Sequence, residues 1–250
     1  MTDVIPAPAQ PRIPVLGDAR AGNAPAGEDR SFPVRRIYCV GRNFADHARE
    51  MGAPVAASPG ERGRPVFFLK PADALVLDGR VPYPRGTREL HHEVELVVAL
   101  GRDAPAGAID PDKAMALVYG YGIGLDLTRR DLQSAAKAHG LPWDTGKAFD
   151  HSAPVSALVP AATLDRLEAR GLSLEVNDEM RQQGRFSDLV WSVPEILHEL
   201  SRLYALRAGD LVFMGTPAGV GPLWPGDRFV ARLDDVVELA GEVTGALPGL

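Results

Sequence analysis

The hydrophobic positions of this chain fall in short runs more often than in helical stripes. Val34-Arg35-Arg36-Ile37-Tyr38-Cys39-Val40 is rich in β-branched and aromatic residues and ends at Gly41, which predicts a strand. Residues 65–70, 93–100, 121–127, 173–176, 210–214 and 228–233 predict further strands. Helices are predicted over 43–51, with Gly52 as a C-terminal cap, and over 111–118, 128–139 and 192–204. Thr128 with Asp131 and Ser192 with Glu195 have capping-box spacing, and Pro194 suits a first helical turn. Strands outnumber helices and do not alternate strictly with them. The pattern therefore disfavours a doubly wound parallel sheet and predicts an α+β, mainly β architecture.

Residues 1–32 carry many Pro, Ala and Gly without a period and read as an N-terminal arm, with 33–250 as the folded domain. Within the arm, Ile13-Pro14-Val15-Leu16 is a candidate edge strand. The turn-forming loop 53–64 is long enough to suggest a flap over a site. A net charge of −6 argues against a nucleic-acid binder. It leaves room for an anionic substrate, because a cleft can be locally positive on an acidic protein. No apolar run approaches the roughly 20 residues that span a bilayer, and the N-terminus lacks the pattern of a secretory signal. The single cysteine, Cys39, permits no intrachain disulfide and reads as a small buried hydrophobe. The expectation is a cytoplasmic protein with neither membrane nor nucleic acid as partner.

Candidate chemistry begins at His91-His92-Glu93-Val94-Glu95. On a strand, Glu93 and Glu95 share a face that Val97 and Ala99 continue, so two carboxylates lie side by side where the strand enters a core. Like charges so placed repel unless a cation or protons intervene; the alternative is a solvated strand end. Asp126 closes the glycine-spaced segment Gly120-Tyr121-Gly122-Ile123-Gly124-Leu125, whose glycines allow close backbone approach. It either helps cap the next helix or supplies a third carboxylate. Three carboxylates without Cys or clustered His would make a hard oxygen site, suited to Mg²⁺, Mn²⁺ or Ca²⁺. His47 and Glu50, three apart on a helix, form either a general-base pair or an exposed ion pair. Lys147, Arg129, Arg130 and Gln133, together with Thr216 in the glycine-rich run 211–222, are further polar candidates.

The blocks YCVGRNFADHAREMG, FFLKPADAL, HHEVELVVALG, GYGIGLDLTRRDLQ, GLPWDTGKAFD and LVFMGTPAGVGP follow one another between residues 32 and 227. In that order the chain resembles the fumarylacetoacetate hydrolase family, within it the acylpyruvase and fumarylpyruvate hydrolase branch. FPVRRIYCVGRN with the Pro-rich arm is similar to fumarylpyruvate hydrolases of bacterial gentisate degradation. The resemblance implies a mixed β-sandwich roll, a homodimer, and one Mg²⁺ or Mn²⁺ per site, with Ca²⁺ as an inactive substitute. It implies Glu93, Glu95 and Asp126 as metal ligands, His47 and Glu50 as a water-activating dyad, and Lys147 beside the oxyanion. Arg130, Gln133 and Thr216 fall at substrate-contact positions, and Arg42, Lys70 or Arg130 would hold a distal carboxylate. Phe44 stands where relatives often carry tyrosine. The implied activity is hydrolysis of a carbon–carbon bond in a small 2,4-dioxo diacid, fumarylpyruvate giving fumarate and pyruvate. Oxaloacetate decarboxylation and oxo-dienoate isomerisation or hydration are the alternatives on the same site. A non-catalytic metabolite-binding protein is the reading outside enzymes.

Overall fold

Five of the runs that the hydrophobic pattern marks as strands lie side by side in one sheet. The computed structural model describes residues 4–17, 30–50 and 62–245. Its six-stranded sheet runs in the order Val159–Pro160, Val118–Leu125, Val94–Leu100, Asp210–Phe213, Arg36–Gly41 and Val66–Lys70. Only Asp210–Phe213 and Arg36–Gly41 pair in parallel. The second sheet, of five strands, orders Glu179–Arg185, Gly171–Val176, Arg228–Leu233, Val237–Thr244 and Arg80–Pro82. The result is a mainly β, α+β fold, as the pattern predicts, with the mixed sheets that the resemblance implies.

Alternation along Val94–Leu100 divides the core. Val94, Leu96, Val98 and Leu100 pack in one cluster with Leu172, Leu174, Phe229 and Ala231 of the second sheet. Val97 and Ala99 face the other way, into a cluster with Ile37, Cys39, Leu211 and Phe213. Every residue of this strand is buried, and each buried Val or Leu contributes about 1.5–3 kcal/mol. The arm takes part in the second cluster. Arg12–Pro14 pairs antiparallel with Ser31–Pro33, and Ile13 is fully buried.

The helices are shorter than the pattern predicts. The predicted 128–139 helix is Arg130–Ala138. Thr128 and Arg129 instead stay extended and pair with His91 and Leu90. The Thr128–Asp131 capping box is not formed, because Asp131 accepts from Thr87 Oγ1 at 2.6 Å and Arg88 N at 3.0 Å. The predicted 43–51 helix is Ala45–Glu50 within the described residues; Met51 and Gly52 lie outside them. Residues 111–118 form a short helix Pro111–Ala114 and a 3₁₀ turn before Val118 enters its strand. At Val193–Ser201 the capping spacing is realised: Glu195 Oε2 accepts from Ser192 N and Oγ, both at 2.8 Å. Of the 53–64 loop only 62–64 fall within the described residues. Among the described residues, no helix is long and apolar enough to cross a membrane.

Candidate metal centre and active-site cleft

Three carboxylates meet where two antiparallel strands end together. Glu93 occupies the break between the strands Leu90–His92 and Val94–Leu100, and Asp126 directly follows Val118–Leu125. Glu95 stands opposite Gly124, and Asp126 N donates to Glu93 O at 2.8 Å. One oxygen from each of Glu93, Glu95 and Asp126 lies within 4.8 Å of the others, and all three residues are buried. The glycine spacing has a steric reason. A Cβ on Gly120 would stand 2.3 Å from Val159 O, and one on Gly124 would meet the Phe213 ring and Val97 Cγ2 at 2.9 Å.

The surrounding cations neutralise two of the acids and leave the third. Lys147 Nζ donates to Glu93 Oε2 at 2.8 Å and to Asp126 Oδ2 at 2.6 Å. Arg130 also pairs with Glu93, and its Nη1 donates to Gln133 Oε1 at 2.5 Å. Burial opposes ionisation of Glu93, but Lys147 and Arg130 overcome it and hold the carboxyl well below its usual range. The same two acids outweigh burial at Lys147 and keep its ammonium charged. Lys70 Nζ lies 2.9 Å from Asp126 Oδ1 but donates to the Leu127 and Lys147 carbonyls. Asp126 Oδ1 is thus buried with an ion pair and no hydrogen bond. Glu95 forms no ion pair among the described residues, and its Oε2 accepts only from Gly215 N, at 2.7 Å. Burial, then repulsion from Asp126 and Glu93, pushes its carboxyl far above the usual range.

A buried carboxylate oxygen with no hydrogen bond, beside a carboxylate that resists ionisation, is the environment a cation relieves. With oxygen donors alone, the set fits a hard divalent ion held by Glu93, Glu95 and Asp126. Asp126 makes no cap to the following helix, which begins four residues later.

His47 approaches the same cleft from the short helix Ala45–Glu50. Asn43 anchors the start of this segment: Nδ2 donates to Met214 O at 2.8 Å and Trp191 O at 3.0 Å, and Oδ1 accepts from Trp191 N at 2.7 Å. Buried His47 places Nδ1 3.3 Å from Glu50 Oε2. Glu50 also accepts from Gly219 N, which ties the helix to the glycine-rich loop. Burial lowers the His47 pKa from 6.5, against the opposing pull of Glu93 and Glu50. The ring is therefore neutral at pH 7. A proton on Nδ1 facing Glu50 is the tautomer this contact favours, which leaves Nε2 as a base.

His47, the three carboxylates and Lys147 all line one cleft. Arg42, Arg130, Gln133 and Thr216 line it as well. Lys70 is absent from that lining, and its buried ammonium is engaged by Asp126 and by the Leu127 and Lys147 carbonyls. Phe44 is buried beside Leu189, outside the cleft lining.

A family model described as fumarylacetoacetate (FAA) hydrolase C-terminal matches residues 36–246, which take in both sheets and every residue of this cleft. The chain belongs to the fumarylacetoacetate hydrolase family. Its fold is similar to that of fumarylpyruvate hydrolase from Pseudomonas aeruginosa, crystallised with Mn²⁺ and pyruvate. The TM-score is 0.87 and the identity 42%, over 97% of this chain and 99% of the other. Among curated proteins it is 43% identical to mouse mitochondrial oxaloacetate tautomerase FAHD1 over 84% of this chain and 91% of the relative. It is 42% identical to the Escherichia coli oxaloacetate tautomerase YcgM over 81% and 90%.

For a member of the fumarylacetoacetate hydrolase family, two residues of the site stand out that the sequence motifs do not mark. Gln182 is buried on an otherwise polar strand. Its Nε2 donates to Thr216 Oγ1 at 2.7 Å and Pro217 O at 2.9 Å, while Oε1 accepts from Val94 N at 3.0 Å and faces His92 Nδ1 at 2.9 Å. It joins the glycine-rich loop to the strand bearing Glu95. No local signal distinguishes it within Glu179–Arg185. Lys137 lines the cleft from the helix Arg130–Ala138. Its spacing of four from Gln133 and seven from Arg130 puts all three on one helical face, a signal present in the sequence.

Proposed function

We propose that this chain is a divalent-metal-dependent hydrolase that cleaves the C3–C4 bond of a 2,4-dioxo acid, fumarylpyruvate first, to fumarate and pyruvate. One observation carries the reading: a buried carboxylate triad and a buried imidazole backed by Glu50 face the same cleft. The cleft then has both the donors for a hard cation and a base for water. The likeness to the Pseudomonas fumarylpyruvate hydrolase adds support. It extends over 97% of this chain at a TM-score of 0.87.

In this reading Arg130, Gln133 and Thr216 offer donors to the oxo-acid end of the substrate. Neutral His47 takes a proton from water through Nε2 as the water oxygen bonds to C4. Lys147, buried and kept charged, donates to the oxygen that becomes negative at C4. A divalent ion held by Glu93, Glu95 and Asp126 would supply Lewis-acid stabilisation of charge developing on the oxo-acid. As the C3–C4 bond breaks, the His47 proton passes to C3, which completes pyruvate.

The curated relatives favour a second reading, keto–enol exchange of oxaloacetate, which needs proton transfer at C3 and no attacking water. A parallel assay of fumarylpyruvate, acetylpyruvate and oxaloacetate with Mn²⁺ separates the two. We expect cleavage of fumarylpyruvate with release of pyruvate and fumarate. Ketonisation of enol-oxaloacetate with no cleavage of either dioxo acid overturns the hydrolase reading.

A further inference from the structure

The helix Arg130–Ala138 turns one polar face to the cleft in a graded way. Arg130 and Gln133 are buried at its inner end, engaged with Glu93 and with each other. Lys137, half-buried, is seven residues further on, about 10 Å along the axis at 1.5 Å per residue. Its ammonium lies over the Trp143 ring, 5.0 Å from the centroid, and has no acidic partner among the described residues. Arg42, on the facing loop, also lines the cleft without an acidic partner among the described residues. Arg42 is held at φ +61°, a left-handed conformation that costs a non-glycine residue energy and that clusters at ligand-binding positions. The cleft thus has acids with cations at its inner end and cations without acids further out.

Building on the hydrolase reading, we propose that Lys137, flanked by Arg42, is the specificity-determining residue that receives the distal carboxylate of the substrate. The occupant it suits is an anionic group carried on an extended linker beyond the oxo-acid. The electrostatics agree with an unmet demand for negative charge. Burial, then repulsion from Arg130 on its own helix, brings the Lys137 pKa down to about 8; Glu93 pulls it up, while Arg42 and Lys147 add repulsion. Glu93 is already paired with Lys147 and Arg130.

The test uses the full chain with Mn²⁺ and the variants Lys137→Met and Lys137→Arg. In Lys137→Met the ratio of kcat/KM for fumarylpyruvate to that for acetylpyruvate, which lacks a distal acid, should fall about 30-fold. The change should be carried by KM, and Lys137→Arg should restore most of it. With wild type, kcat/KM for fumarylpyruvate should decline above pH about 8 as the lysine loses its proton, and this limb should move to higher pH in Lys137→Arg. Equal losses on both substrates, or a limb that stays in place, overturn the assignment. Binding of fumarate to the Mn²⁺-loaded chain, measured by calorimetry, is independent of turnover and should weaken at least about tenfold in Lys137→Met. Unchanged fumarate affinity overturns the Lys137 assignment. Weakened affinity in a chain that cleaves no dioxo acid overturns the hydrolase reading and upholds the assignment.

Discussion

Glu95 is the residue at which the site's electrostatics are least self-sufficient. It is buried beside two other acids, and among the described residues its one hydrogen-bond donor is Gly215 N. Glu95→Ala should abolish metal-dependent turnover and weaken Mn²⁺ binding in a calorimetric titration; near-normal activity in metal-depleted buffer would remove the metal from the mechanism. His47 is the second decisive position. His47→Ala should slow hydrolysis by roughly 10²- to 10⁴-fold, the contribution of a positioned general base; a loss below tenfold excludes that role. The sign of its pH dependence follows from burial. The folded ring titrates below 6.5, and only the neutral ring accepts a proton, so kcat/KM should fall as pH drops through that depressed value. Glu50 favours the protonated ring. Glu50→Gln should therefore move this acid limb to still lower pH while the rate falls, and a limb that moves upward contradicts the dyad.

At the scale of elements, the strand Val118–Leu125 owes its position to what its glycines lack. With Gly120 bare, the Val159 carbonyl comes within 2.3 Å of where a Cβ would be. Gly120→Ala must displace backbone, which typically costs about 1–3 kcal/mol in a packed setting. The melting temperature should drop by several degrees in a thermal scan; an unchanged value would show that the edge pairing is not needed. The glycine pattern is legible in the sequence because it is local. The strands Glu179–Arg185 and Val237–Thr244 are not. EMRQQGR contains one large apolar residue, and it becomes a strand only by pairing with Gly171–Val176. The late start of the helix at Arg130 has the same origin. Thr128 and Arg129 are held extended by Leu90 and His91, nearly forty residues earlier, and no capping rule registers that partner.

For the molecule as a whole, ion binding and folding should be linked. Three buried acids converge from separate segments, so a divalent cation favours the folded over the unfolded chain. Saturating Mn²⁺ should stabilise the metal-stripped protein by about 3 kcal/mol at a hundredfold excess over Kd, seen as a higher melting temperature. An identical melting curve with and without Mn²⁺ or Mg²⁺ would refute a bound ion at this position. The sequence by itself determined the mainly β class, the closeness of Glu93 and Glu95 where a strand enters the core, the His47–Glu50 spacing and the family blocks; that Glu93 falls in the break before Val94–Leu100, not on the strand, was left to the structure. The features read from the sequence are local in period or in motif. Only the tertiary structure decided that Asp126 joins those acids instead of capping a helix. It also engaged Lys70 with Asp126 and backbone carbonyls, set Gln182 between two sheets, and left Lys137 lining the cleft without an acidic partner among the described residues. These outcomes depend on which distant groups share one buried volume, and a charge carries no mark in the sequence of whether folding will give it a partner.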